Sequence, residues 1–339
     1  MQLTYLHIHN FKSIRSMEIR DIERALILVG KNNTGKTSVL DAICAVCGCY
    51  EIQDRDFNEN RQAIRIAACF SIEEEDLHLF HHMGIVSQYR RYDVWRRVFS
   101  ERLPSFQNGE LSFTFHVNQD GKVRYEDLYR KNNPYIHMVM PRIYRINAER
   151  ELNQLQNDLL MFQEDEELRR LRSGSCIFER AKKCNHCFQC IGLINKKKPE
   201  ELSAFETARL LEFKIYQMNL SGFSGKVNEN FFKNGGYEEI QYTLSCDADQ
   251  LFTVEVTAHN RQRGTVKPVE LMGKGMRSIY MLSLLETYIS EQGRIPSIIV
   301  VEDPEIFLHP QLQKTCSEIL YRLSKKNQVI FKTQPGPFV

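Results

Sequence analysis

Eight residues, Gly30-Lys31-Asn32-Asn33-Thr34-Gly35-Lys36-Thr37, carry the spacing G-x-x-x-x-G-K-[ST]. Glycines at those two places let a backbone turn tightly and aim its N–H groups at an anion. A helix starting there adds the positive end of its dipole. The chemistry such a loop supports is the cradling of a nucleotide's phosphates. Lys36 is the side chain that reaches the β- and γ-phosphates, and Thr37 is a Mg²⁺ ligand. Asn32, Asn33, Thr34 and Ser38 complete the expected nucleotide-binding stretch. The context agrees with the motif: the apolar run ALILVG (25–30) reads as a strand, and residues 37–47 read as a helix.

A phosphate loop of this kind needs an acidic partner at the tip of another buried strand. The stretch SIIVVEDPEIFLHP (297–310) supplies one: an apolar run ends in Glu302-Asp303, and Pro304 stops the strand. Glu302 is assigned to the Mg²⁺ shell, and Asp303 to orienting or deprotonating the attacking water. Lys36, Glu302 and Asp303 are therefore the expected catalytic residues, with ATP and Mg²⁺ as cofactors.

A second cluster has different chemistry. Cys176, Cys184, Cys187 and Cys190 follow C-x7-C-x2-C-x2-C. Two-residue gaps let neighbouring thiolates meet one metal centre, so the set suits Zn²⁺ or a [4Fe–4S] cluster. His186 is able to replace one cysteine, and Arg180, Lys182 and Lys183 would offset thiolate charge. A set of free thiols in a helical insertion is the alternative. Cys44, Cys47 and Cys49 lie on the helix after the phosphate loop, where core packing is the expectation.

These residues need a scaffold. With 339 residues, 42% of them hydrophobic and 26% charged, the chain has the composition of a globular protein with a sizeable core. A net charge of +2 marks no general affinity for nucleic acid or membrane. No apolar run approaches the roughly 20 residues that span a bilayer. The amino end alternates polar and apolar residues instead of carrying a leader's apolar core, so a cytoplasmic location is expected. There, the 10 cysteines are not a disulfide framework.

Strands are expected at LTYLHIHNF, SMEIRDI, AIRIAACFSI (63–72) and RIYRI (142–146), with a hairpin around NQDG between LSFTFHV and KVRYEDLY. Residues 75–100 have helical spacing around the single tryptophan, Trp95. A second hairpin is expected over 239–259. Strands alternating with helices in the first and last thirds predict an α/β fold of the P-loop NTPase kind. It has a mixed and largely parallel sheet with antiparallel strands at the amino end, and a helical insertion. The domains follow as 1–150, an amino-terminal ATPase lobe with the P-loop; 151–235, a helical insertion with the cysteine cluster; and 236–339, a carboxy-terminal lobe.

The wide separation of the two phosphate-linked motifs resembles the ABC-type ATPases of the SMC and RecF group, and that resemblance implies an ABC-type core. LTYLHIHNFKSIRSMEI followed by LILVGKNNTGKTSVLDAI is similar to the amino-terminal lobe of the OLD (overcoming lysogenization defect) family. IIVVEDPEIFLHPQLQ resembles that family's extended acidic motif, in which His309-Pro310 lies near the dimer seam. The resemblance implies a third element, a signature loop that reaches the partner's γ-phosphate. ELMGKGMRSIYMLSLL fits it, with Gly273, Lys274 and Gly275 as nucleotide-binding residues and Lys274 where the family has serine. It also implies a homodimer in the ATP state, with DNA and a separate nuclease effector as further partners and no membrane. The family ends its core with a strand and Thr-His-Ser-Pro; here QVIFKTQPGPFV puts Gln334 near the histidine position. A glutamine bonds phosphate but carries no proton charge, so slow hydrolysis is expected. The family's Toprim nuclease domain has no room in this sequence, so the expectation is the ATPase part alone. RINAERELNQ (145–154) resembles a family segment in which Arg150 approaches the nucleotide. Three lysines, Lys196 to Lys198, read as a solvated turn.

Overall fold

Alternating burial builds the first sheet. In the computed structural model, which describes residues 1–58, 62–149, 176–178, 187–218, 221–242, 256–260, 264–291 and 296–334, β1 (Gln2–Phe11) buries Leu6 and Ile8 with period 2. A bulge between Leu3 and Tyr5 shifts the register so that Leu3 also turns inward. Around β1 stand β2 (Ile14–Ile19), β4 (Ile64–Ser71), β5 (Phe106–Gln107), β6 (Glu110–Val117) and β7 (Val123–Glu126). Their order is β2-β1-β4-β6-β5, β7 also pairs with β6, and these pairings are antiparallel. The hairpin read around NQDG is β6–β7, with Gly121 at a positive φ of 73°.

The second sheet is all parallel, in the order β3 (Ala25–Val29), β12 (Gln328–Thr333), β11 (Ser297–Glu302), β8 (Arg142–Ile146). Strands covered on both faces read as continuous apolar runs, and β11 is buried along its whole length. Ile298, Val300 and Ile330 join one core with Leu40, Ile43 and the inward residues of the first sheet. Ile299, Val301 and Val329 alternate to the opposite face. The chain crosses between the sheets as α1 (Lys36–Val46), which packs on β1, β4 and β12. A helix covered on all sides has no polar face, and nine consecutive residues from Ser38 to Val46 are buried.

Both sheets belong to one unit, Met1–Gln156 with Ala258–Val339. It also holds α2 (Glu74–His82), α3 (Tyr92–Arg102), α4 (Pro134–Val139), α8 (Lys274–Glu291), α9 (Pro310–Ser324) and, from Ala258 on, a ribbon of β9 (Thr257–Asn260) with β10 (Thr265–Pro268). Helical spacing over 75–100 is realised as two helices. The amide of Gly84 bonds His81 O at 3.0 Å and that of Ile85 bonds Phe80 O at 2.9 Å, a Schellman stop that periodicity does not reveal. Trp95 then packs fully buried, its Nε1 donating to Ile85 O at 2.9 Å. Of the hairpin expected over 239–259, residues 243–255 lie outside the described residues, and the end of it pairs forward with β10.

The other unit spans Asn157–Thr257. It contains α5 (Ile191–Ile194), α6 (Ala204–Gln217) and α7 (Ser221–Lys233). A capping box starts α6: Ser203 Oγ accepts from the Glu206 amide, and the Glu206 carboxylate accepts from the Ser203 amide. Its apolar contacts are small clusters, chiefly Cys190, Ile191 and Ile194 with Phe188, Leu202, Leu210 and Phe213. Buried Arg209 pairs with Glu212 one turn along α6.

Candidate functional site

Parallel strands bring their carboxyl ends to one edge, and in open α/β sheets that edge is where loops gather around ligands. Val29 pairs with Thr333, and Glu302 with Lys332, so β3, β11 and β12 end level with one another. The phosphate-type loop therefore stands beside the acidic loop although the two lie near opposite ends of the chain.

The loop has the backbone that its motif requires. Gly35 has φ of 86° and caps α1, and Asn33 has φ of 64°. Gly30 is crowded, since a Cβ there would lie 3.1 Å from Thr34 Oγ1. Lys36 Nζ donates to Gly30 O at 2.6 Å and Lys31 O at 2.7 Å, which folds the amino group over the loop. Thr34 Oγ1 donates to Lys31 O at 2.9 Å. Gln334 Nε2 donates to Asn32 Oδ1 at 3.2 Å, so the end of β12 touches the loop. Glu305 holds Gln334 there, its Oε1 accepting from the Gln334 amide at 3.0 Å and from Thr333 Oγ1 at 2.7 Å.

Between the loop and the acids lies a residue that motif reading missed. Lys332 Nζ is 2.8 Å from Thr37 Oγ1, 3.2 Å from Glu302 Oε2 and 3.1 Å from Asp303 Oδ2. Arg145 from β8 takes the other Glu302 oxygen, with Nε at 2.9 Å and Nη2 at 2.7 Å, and reaches Asp41 Oδ1 of α1 at 2.7 Å. Lys12 closes the chain of charges, 2.5 Å from Asp41 Oδ2 and 3.6 Å from Asp56 Oδ1. Burial opposes the Arg145 charge, yet Cys44, Glu302 and Asp41 together raise its pKa above the ordinary arginine value. Burial likewise opposes the Lys12 charge, and Asp41 and Tyr50 outweigh it to raise that pKa.

A signal for these residues existed. Ile298 and Val300 face α1, so Glu302 continues the same face of β11; Ile330 sets Lys332 on that face of β12. A lysine inside a buried strand is almost always paired, and KTQP follows an otherwise apolar run.

The oxygens of Thr37, Glu302 and Asp303 are hard donors of the type Mg²⁺ takes at about 2.0–2.1 Å. Here they are arranged at hydrogen-bonding distance around an ammonium with three N–H donors, and Glu302 is engaged on both oxygens. In this arrangement the donor set matches a lysine rather than a divalent ion.

The expected signature residues lie elsewhere. Lys274 starts α8, with Nζ 4.5 Å from the centre of the Phe307 ring. A Cβ on Gly275 would come within 2.6 Å of Phe307 O, so only glycine fits there. Gly273 precedes the helix, and among the described residues no hydrogen bond joins 273–275 to the phosphate-type loop. Arg150, Cys184, His186, Arg180, Lys182 and Lys183 lie outside the described residues. Cys176 is half-buried, Cys187 exposed and Cys190 buried. Among the described residues no three His, Cys, Asp or Glu side chains group to hold a metal ion, so Zn²⁺ or an iron–sulfur cluster gains no support from them.

Cys44 and Cys47 pack into the core. The neighbouring Cys49 thiol and burial raise the Cys44 pKa, and burial then Cys44 raise that of Cys47. A brief maleimide pulse followed by peptide mapping will label exposed Cys49 and Cys187 and spare Cys44 and Cys47 until the protein unfolds. Labelling of Cys44 at the rate of Cys49 would contradict this packing.

A cleft of about 340 Å³, lined by Arg24, Ser297, Lys325, Lys326 and Asn327, lies at the amino ends of β11 and β12. That is the edge opposite the charge network. No helix among the described residues is long and apolar enough to cross a membrane.

Sheets, connections and loop geometry define an α/β fold of the P-loop ATPase kind. Residues 1–333 match the AAA ATPase domain family, and the chain belongs to it. Among solved structures, the Smc head domain of Pyrococcus furiosus, with an extended coiled coil and bound to the C-terminal domain of ScpA, is similar at 15% identity. Its TM-score is 0.51, over 98% of this chain and 89% of that one. The SMC head domain from Thermotoga maritima matches at 14% identity and TM-score 0.44, over 98% and 89%. The recombination mediator RecF with ATP, of the RecFOR pathway, matches at 12% and 0.43, over 98% and 93%. At these identities the likeness is one of fold. A comparison with curated proteins returned no match.

Proposed function

We propose that this chain binds ATP at the carboxyl edge of its parallel sheet and closes on it as a head-to-tail homodimer. Membership of an ATPase family supports the nucleotide. One observation carries the site: Thr37 of the glycine-lined loop and the acids Glu302 and Asp303 meet around Lys332 at 2.8–3.2 Å. The loop amides and Lys36 bind the phosphates, and Asp303 orients a water. In the partner-facing role, Gly273, Lys274 and Gly275 open α8 and present its N-terminus to a second copy's nucleotide. Closure is coupled to work on DNA, in repair or in defence against phage, as in OLD-like proteins.

A second reading rests on Gln334. Its amide contacts Asn32 in the loop, where the family resemblance expects a histidine. An ATP-gated scaffold with little turnover, recruiting a separate nuclease, follows from that exchange.

Light scattering with and without ATP and Mg²⁺, with Lys36→Ala as control, tests the first reading. The mass of the natural protein doubles with nucleotide, and that of the variant does not. A mass unchanged by nucleotide in the natural protein excludes the ATP-closed dimer. Phosphate release under the same conditions separates the readings, since a dimer without turnover is the scaffold.

A further inference from the structure

We propose that the Lys332 ammonium is a built-in cation of the nucleotide site, so that ATP binding does not require a divalent metal. This rests on the reading of the site as an ATP site.

The position of Lys332 follows from the sheet. It lies on β12, between the strand that feeds the loop and the strand that carries the acids, and pairs in register with both Leu28 and Glu302. Its side chain shares the α1-facing side of β12 with Ile330, which aims it at the first turn of α1, where Thr37 sits. Three donors meet three acceptors: one hydroxyl and two carboxylates. These are the oxygens a metal at this edge would use.

Charge balance points the same way. Glu302, Asp303 and Asp41 would together attract a divalent ion strongly. Each of them is already paired with a cation: Glu302 with Lys332 and Arg145, Asp303 with Lys332, and Asp41 with Arg145 and Lys12, which also reaches Asp56. Glu302, only 6% exposed, gives one oxygen to Arg145 and the other to Lys332. A metal entering here would have to displace an ammonium that is itself 13% exposed and held from three sides. An ammonium supplies a point charge to a phosphate without any metal–oxygen geometry. It stabilises bound triphosphate, but it generates no metal-bound nucleophile and bridges no two phosphate oxygens as a metal does. Binding without the metal and weak turnover are thus two consequences of one residue.

The test is titration of the protein with a fluorescent ATP analogue, in excess Mg²⁺ and in excess EDTA, on the natural chain and on Lys332→Met and Lys332→Arg. The natural chain binds with affinities within about threefold in the two conditions, and Lys332→Arg does the same. In Lys332→Met, EDTA weakens binding by about tenfold or more relative to Mg²⁺. Natural protein that binds with Mg²⁺ but loses about tenfold in EDTA overturns this inference while leaving the ATP site intact. Natural protein that binds the analogue in neither condition overturns the ATP site and this inference with it. The natural-chain comparison stands by itself should Lys332→Met fail to fold.

Discussion

Lys36→Ala weakens ATP binding by about 100-fold, measured by titration with a fluorescent analogue, and leaves the fold unchanged. The amino group spends two N–H donors on Gly30 O and Lys31 O, at 2.6 and 2.7 Å. Those bonds hold it over the loop, so its charge is positioned before any anion arrives. A hydrogen bond to a charged partner contributes about 1.5–3 kcal/mol, which is roughly 10- to 150-fold in affinity. Positioning removes part of the ordering cost and puts the effect toward the upper end. Removing Lys36 frees two carbonyls beside the exposed loop, where water replaces the lost partners, so stability changes little. Affinity in Lys36→Ala within about threefold of the natural protein would remove the loop from the site.

Arg145→Met lowers the melting temperature by about 10 °C. Exposed ion pairs contribute about 0–1 kcal/mol, and on that scale the substitution would be nearly silent. Here the partners decide otherwise: Asp41 is 4% exposed and Glu302 6%. Stripping the cation from buried carboxylates costs about 3–5 kcal/mol, and each kcal/mol moves the melting point of a unit the size of Met1–Gln156 with Ala258–Val339 by about 2–4 °C. Methionine keeps the aliphatic stem, so the loss reports the charge rather than a cavity. Glu302→Gln in the Arg145→Met background recovers about 1–3 kcal/mol, because it removes one of the two carboxylate charges left with a single cation each, Lys332 for Glu302 and Lys12 for Asp41. A melting point for Arg145→Met within about 2 °C of the natural protein would show that the network is solvated and worth little.

The motifs legible in the sequence were those whose chemistry is local. The loop spacing dictates its own turn, because glycine alone accepts the backbone of Gly35 at φ 86° without cost. The acidic pair was legible because an apolar run that ends in carboxylates and proline has few other uses. Strands with one buried face announced themselves by alternation, and β8 has the bounds read for it, 142–146. Where helical periodicity continued across Gly84, the stop depended on capping bonds that spacing does not encode. In the segment RINAERELNQ the family resemblance singles out Arg150, which lies outside the described residues, and Arg145 is an arginine of the same segment that joins Glu302 to Asp41.

By itself, then, the sequence determined the phosphate-type loop, the acidic strand tip and the α/β class, since each follows from a few neighbouring residues and their backbone preferences. Only the tertiary structure decided that Thr37, Glu302 and Asp303 share one lysine, and that Arg145 and Lys12 complete the charges around Asp41. Strand order and register set those distances. Four parallel strands ending at one edge bring together residues whose separation along the chain carries no record of their proximity.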